Sequence, residues 1–169
     1  MSRRLPMIVL LLFLAMGNLA SAAVPCPVGV NATTNQVRTA ASPLTFTYSN
    51  NTGSNRLLVV TIGMGSTSNP GTAGTVSAVT YAGQAMTQAG TAFSTDGARV
   101  YIFTLSEYEG MPTSGTVSIS YSSGSIVEAG ATSFFNVNQD TPLGAFGSSS
   151  SSSNATANSP DISPAIFLA

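Results

Sequence analysis

Asn55-Arg56-Leu57-Leu58-Val59-Val60-Thr61-Ile62-Gly63-Met64 is the strongest apolar run downstream of the N-terminal leader. β-Branched residues enrich it. Turn formers bound it, Asn50-Asn51-Thr52-Gly53-Ser54 before and the long loop Gly65 to Gly74 after. Such a run between such boundaries predicts a buried β-strand. Alternation puts Leu58, Val60, Ile62 and Met64 on one face and Leu57 and Val59 on the other. Apolar residues on both faces predict burial on both sides, or one face under a loop.

Working outward, partner strands follow on either side. Leu44-Thr45-Phe46-Thr47-Tyr48 alternates, so Leu44, Phe46 and Tyr48 share a face. Thr75 to Tyr81 predicts a strand, Ala82-Gly83 a turn, and Gln84 to Ala89 the return of a short hairpin. Asp96-Gly97 is a stronger hairpin signal, because both residues tolerate positive φ. It feeds Ala98 to Leu105, where Tyr101, Phe103 and Leu105 alternate with Val100 and Ile102. Glu107 to Ser114 reads as a loop. Thr116 to Tyr121 is the cleanest strand, with Val117, Ile119 and Tyr121 inward. Ile126 to Phe135 places Val127, Ala129, Ala131 and Phe135 on one face and Glu128 on the other, and Gly130 marks a bulge or a close approach. Asn136 to Pro142 reads as a polar corner, Leu143 to Phe146 as a short strand, and Ser148 to Ser153 as a flexible serine loop. Pro160 to Ala169 starts like a closing strand that its two prolines restrict to an edge. Its apolar Ile166-Phe167-Leu168 fits either a chain that continues or a last strand tucked into the core.

No segment after the leader holds a helical period. Strands recur about every ten to fifteen residues with turn signals between, the signature of an all-β fold. The expected architecture is an antiparallel β-sandwich of about eight or nine strands. The pattern leaves open whether it is immunoglobulin-like or a jelly roll.

Met1 to Ala22 has the three parts of a secretory signal: Arg3-Arg4, an apolar stretch from Pro6 to Met16, and the small-residue site Ala20-Ser21-Ala22. The apolar stretch is too short for a stable membrane span. Residues 23–43 then form an extended lead-in, with a short edge strand near Val28 to Val30, and residues 44–169 the sandwich. The reading is therefore a secreted, extracellular or cell-surface protein.

Charged residues make up 7% of the chain, against about 25% in ordinary globular proteins. Hydrophobic residues make up 43%, too many for a disordered chain. Without the leader, three arginines face six carboxylates, a net charge of −3. Nothing basic is left to track a phosphate backbone, which argues against nucleic acid, and no basic amphipathic helix argues for a membrane. Cys26 is the single cysteine, so it forms no internal disulfide. Val24-Pro25 before it do not fit a lipid anchor.

The sequence has no His, no Lys and no Trp. Ser-His-Asp and Cys-His catalysis, His/Cys zinc sites and lysine chemistry need residues this chain lacks. Gly63-Met64-Gly65 opens like a dinucleotide fingerprint but lacks the third glycine, and Asn69-Pro70-Gly71 prevents the following helix. Glu107 and Glu109 are the one close carboxylate pair. On a continued strand they would sit on one face about 6–7 Å apart, the spacing of a glycosidase pair. The plainer reading is a solvated loop. Asp96, Asp140 and Asp161 are weak calcium candidates, since calcium wants six to eight oxygens and the first two are better explained as turn residues. Of the five tyrosines, Tyr48, Tyr81, Tyr101 and Tyr121 fall in core phase. Tyr108, in a loop, is the one candidate for stacking on a sugar. Asn31, Asn50 and Asn154 head glycosylation sequons that also read as Asn/Thr-rich turns.

Four stretches together carry a resemblance: Asn55 to Val60, Val76 to Thr87 with its Val-Thr-Tyr-Ala-Gly-Gln-Ala-Met-Thr, Val100 to Leu105, and Gly115 to Ser120. Across about Leu44 to Pro142 the chain resembles a β-sandwich module of bacterial secreted and cell-surface proteins. The module has Gly-Gly-Gln where this chain has Ala82-Gly83-Gln84. The shared motifs are structural, so the resemblance implies no active-site residue. The expected function is a non-catalytic structural or adhesive module, its partners being other domains of a surface protein, or extracellular proteins or glycans. A carbohydrate-binding module is the alternative, and a carboxylate-dependent glycan hydrolase a distant third.

Overall fold

The computed structural model describes residues 28–33, 37–50, 52–67, 73–94, 97–122 and 125–147. The leader, Cys26, Asp96, Asp161, Asn154, the serine run and the expected closing strand lie outside the described residues. The strands are β1 (Gly29–Thr33), β2 (Val37–Thr39), β3 (Leu44–Ser49), β4 (Leu57–Ser66), β5 (Val76–Tyr81), β6 (Gln84–Ala85), β7 (Thr87–Phe93), β8 (Arg99–Ser106), β9 (Ser114–Tyr121) and β10 (Ser125–Phe135). A single 3-10 turn, Glu107–Glu109, joins β8 to β9 among them.

The protein is an all-β sandwich of two antiparallel sheets. The larger has the order β1-β10-β4-β8-β7, with β2 also paired to β10, and the smaller has the order β3-β9-β5-β6. The pairings nest. β5 pairs with β6, β4 with β8, β3 with β9 and β2 with β10, as in one long hairpin folded back on itself. The cross-pairings β10 with β4 and β9 with β5 then close the two sheets. Two interlocked Greek keys in this order make a jelly roll, so the nesting selects one of the two sandwich types that strand patterning left open.

β4 lies at the centre of the larger sheet, between β10 and β8. Leu58, Val60 and Ile62 point inward and are fully buried. On one side they neighbour Leu105, Phe103 and Tyr101 of β8, on the other Ser133, Ala131 and Ala129 of β10. Large residues on one flank and small ones on the other leave room for the tyrosines of the smaller sheet. Tyr48 of β3 crosses the core and donates its hydroxyl to Ser133 Oγ at 2.7 Å. Tyr81 packs edge-on to it, ring centroids 6.2 Å apart, and donates to the Tyr48 carbonyl at 3.2 Å. Each buried phenol thus has the partner that burial demands, and burial pushes both pKa values up.

Several expectations change. The outer face of β4 is covered only at its start: Leu57 is buried, Val59 half-buried, Thr61 and Gly63 exposed. The lead-in supplies two strands, because β1 and β2 both find open edge on the long β10. Gly130 marks no bulge, the β10–β4 register running unbroken from Ser125↔Ser66 to Phe134↔Leu57. Bulges fall instead at Val30/Ala32, Val76/Ala78 and Gln88/Gly90. Leu143 to Phe146 is not a strand. It lies beside the edge strand β7, and the Phe146 ring fills the space that a side chain on Gly90 would need.

The Ala82-Gly83 turn has positive φ at both positions, 50° and 82°, the requirement of a type I′ hairpin turn. An alanine there costs about 1–2 kcal/mol. Its amide donates to the Thr116 carbonyl at 2.9 Å, and its methyl lies against Gly115. A Cβ on Gly115 would meet Ala82 Cβ at 2.5 Å and Ala82 Cα at 3.1 Å. Gly115→Ala is therefore expected to destabilise the protein by about 1–3 kcal/mol through overpacking. Adding Ala82→Gly should recover part of that loss in urea melts. A single mutant as stable as the parent would show that the two strands separate freely here.

Candidate functional site

The turn after β8 shows the most elaborate polar structure among the described residues. Arg56, at the head of the β4 run, is 6% exposed. A buried guanidinium needs both a counter-charge and donor-matched partners. Glu107 supplies the charge: its carboxylate takes Arg56 Nη2 at 2.7 Å, Nε at 3.1 Å and the Arg56 backbone amide at 2.9 Å. Arg56 Nη1 donates to the Asn50 carbonyl at 2.6 Å. Asn50 is itself fully buried. Hydrogen bonding orients its carboxamide nitrogen toward the carbonyls of Thr113 and Pro112, at 2.8 and 3.1 Å. The Arg56 guanidinium beside Glu107 holds the carboxyl below the usual carboxylate range, and the hydrogen bonds from Arg56 outweigh the opposing effect of partial burial.

Glu109 is engaged separately. Its Oε2 accepts the Ser106 amide and the Ser106 hydroxyl, both at 2.7 Å. The strand does not continue through Glu107 and Glu109, in line with the loop reading, so they do not form a glycosidase-like pair on one strand face. The chain leaves the strand for a 3-10 turn, and the two carboxylates face different partners. Nor is Glu107 merely solvated, being the counter-ion of a buried arginine.

Between them stands Tyr108. Its backbone is tied on every side: its amide donates to Gln139 Oε1 at 3.0 Å, the Glu107 amide to the Arg56 carbonyl at 2.9 Å, and Gln84 Nε2 to the Glu109 carbonyl. The left-handed Gly110, φ 85°, closes the turn. Tyr108 is 83% exposed. The four tyrosines expected in the core are all buried.

Tyr108 forms one wall of a groove of about 480 Å³. Leu57, Pro142 and Leu143 give it apolar surface, and Thr87, Thr104, Gln139 and Asp140 give it polar surface. The structure thereby brings Tyr108 and Asp140, 32 positions apart in sequence, to one site. Asp140 sits in an Asx turn, its amide donating to Asn138 Oδ1 at 2.9 Å, and that oxygen also takes the Thr141 amide. Among the described residues no three His, Cys, Asp or Glu side chains gather into a metal-binding cluster, and Asp140 brings one carboxylate.

No protein-family model, curated protein or solved structure matches the chain. The resemblance to a bacterial surface module therefore rests on the quoted stretches alone.

A second depression, of about 340 Å³, lies on the outer face of the larger sheet over Thr61, Gly63, Val100, Glu128 and Gly130. It exists because two of these residues lack side chains. Among the described residues no helix is long and apolar enough to cross a membrane.

Sequence reading missed Arg56 and Gln139 as parts of this site. The arginine had one signal, a charge at the head of the most apolar run in a chain with few charges. Gln139 had none, since its role depends on where the corner after β10 lands.

Proposed function

We propose that this chain is a secreted, non-catalytic adhesive module that meets its partner through the Tyr108 groove. The observation that carries the reading is the exposed Tyr108 side chain on a turn whose backbone is fixed by Arg56, Glu107, Ser106, Glu109 and Gln139. Exposed aromatics on rigid backbones lose little freedom on binding and so make strong contact residues. The engagement of Glu107 with Arg56 and of Glu109 with Ser106 supports the non-catalytic part. The leader and the uncharged Ser/Thr surface support an extracellular location. Beads carrying the secreted chain are expected to adhere to insoluble envelope and matrix preparations. Beads carrying Tyr108→Ala, a protein expected to melt at the same temperature, should lose most of that adhesion. Equal adhesion by the two would remove the groove from the contact, and no adhesion by the parent would end the adhesive reading.

A further inference from the structure

We propose that the Tyr108 groove binds a neutral carbohydrate chain, the Tyr108 ring stacking on a pyranose face while Asp140 and Thr87 take its hydroxyls. This rests on the adhesive reading above and names the ligand class for the same site.

The groove's chemistry narrows the ligand by elimination. Among the described residues it offers no free cation, because the Arg56 guanidinium is turned away to Glu107 and Asn50. Two carboxylates line it, Glu109 and Asp140. Phosphates, sulfates and uronates would meet like charge there. Glu109 is committed to Ser106, which leaves Asp140 as the lining carboxylate with no hydrogen-bond donor among the described residues. One carboxylate is poor bait for a basic peptide but well suited to vicinal hydroxyls, since it accepts up to four hydrogen bonds. A wholly apolar ligand would strand Thr87 and Asp140 without water.

What remains is a ligand with one apolar face and a rim of hydroxyls. A pyranose has that shape. Its axial C–H bonds carry partial positive charge and meet the negative face of an aromatic ring. Tyr108 presents such a ring at 83% exposure on a fixed turn, so ordering the platform costs little. The size also fits: about 480 Å³ lies within the usual range for small-ligand sites.

The test is titration calorimetry of the secreted chain with neutral glucan, mannan, galactan and chitin hexasaccharides, alongside a polyuronate and a Lys-rich peptide. At least one neutral oligosaccharide should bind saturably, with an affinity unchanged between 50 and 500 mM salt, because no charge pair is formed. Tyr108→Phe should keep the affinity within about threefold, since the ring remains. Tyr108→Ala should lose about tenfold or more, and Asp140→Ala several-fold, each with an unchanged melting temperature. Binding by none of the neutral sugars, binding of the polyuronate or the peptide alone, or equal affinity for parent and Tyr108→Ala would each overturn the assignment. If Tyr108→Ala abolishes adhesion while no neutral sugar binds, the ligand class is wrong and the adhesive reading stands. If neither adhesion nor sugar binding responds to Tyr108→Ala, both fail.

Discussion

Val60→Asp is expected to yield no folded protein. Val60 is fully buried at the centre of the larger sheet, flanked by Phe103 and Ala131 and facing the smaller sheet across the core. No polar partner lies in register with it. An isolated carboxylate moved from water to such a site costs far more than the roughly 5–15 kcal/mol that holds a domain together, and even the protonated acid leaves an unsatisfied polar group. Two controls locate the cause. Val60→Ala should fold and lose about 2 kcal/mol, the transfer energy of the deleted methyls plus a small cavity. Thr61→Asp, one residue along and exposed on the outer face, should stay within about 0.5 kcal/mol of the parent. Secretion yield and a urea melt distinguish the three. A soluble Val60→Asp protein with a cooperative melt would mean that the inner face of β4 has been misplaced.

Breaking the Arg56–Glu107 pair should cost less, and unequally from its two sides. The Arg56 side chain is 7% exposed and that of Glu107 34%. Deleting Glu107 strands the better-buried charge, whereas deleting Arg56 leaves a carboxylate that water can reach. Removing one member of a buried pair typically costs about 3–5 kcal/mol. Partial exposure at the Glu107 end lowers that to about 3 kcal/mol for Glu107→Ala, and to about 2 kcal/mol for Arg56→Met, which keeps the aliphatic stem. The reverse order would show that the pair is held by Asn50 more than by its own charges.

The same pair predicts a pH dependence. The folded-state pKa of Glu107 lies below its ordinary value of 4.5. A depressed carboxylate binds fewer protons folded than unfolded, so its stabilisation is complete above about pH 4.5 and lost as pH falls through the folded value. The parent should therefore lose stability more steeply than Glu107→Gln below pH 4.5, and the gap between them should narrow. Parallel stability curves across that window would exclude the linkage.

Much of the fold can be read along single strands because inner and outer faces alternate. Val117, Ile119 and Tyr121 of β9, and Leu58, Val60, Ile62 and Met64 of β4, are buried as their spacing predicts. Residues 37–39 carry no such pattern and still form a strand, since the open edge of β10 supplies the partner. Leu143 to Phe146 has strand composition and lies beside the edge strand β7, yet it is irregular and packs the Phe146 ring over Gly90 without pairing. The turn was legible at Ala82-Gly83, and the structure gives it positive φ at both residues, the type I′ form. The 3-10 turn at Glu107 was not legible, because its carboxylates are held by Arg56, 51 positions earlier, and by the capping Ser106.

The candidate site divides in the same way. Tyr108 stands out in the sequence as the tyrosine outside strand phase, since a side chain in a loop has no sheet to bury it. Its fixed backbone, and its meeting with Asp140 and Thr87, come from contacts between segments far apart in the chain. By itself the sequence determined the all-β class and the inward faces of the strands, Asn55 to Met64 among them, because those follow from local alternation and turn residues. Only the tertiary structure decided the jelly-roll nesting, the burial of Arg56 and the groove. Each depends on which distant strands pair, and alternation along one strand carries no information about its neighbours.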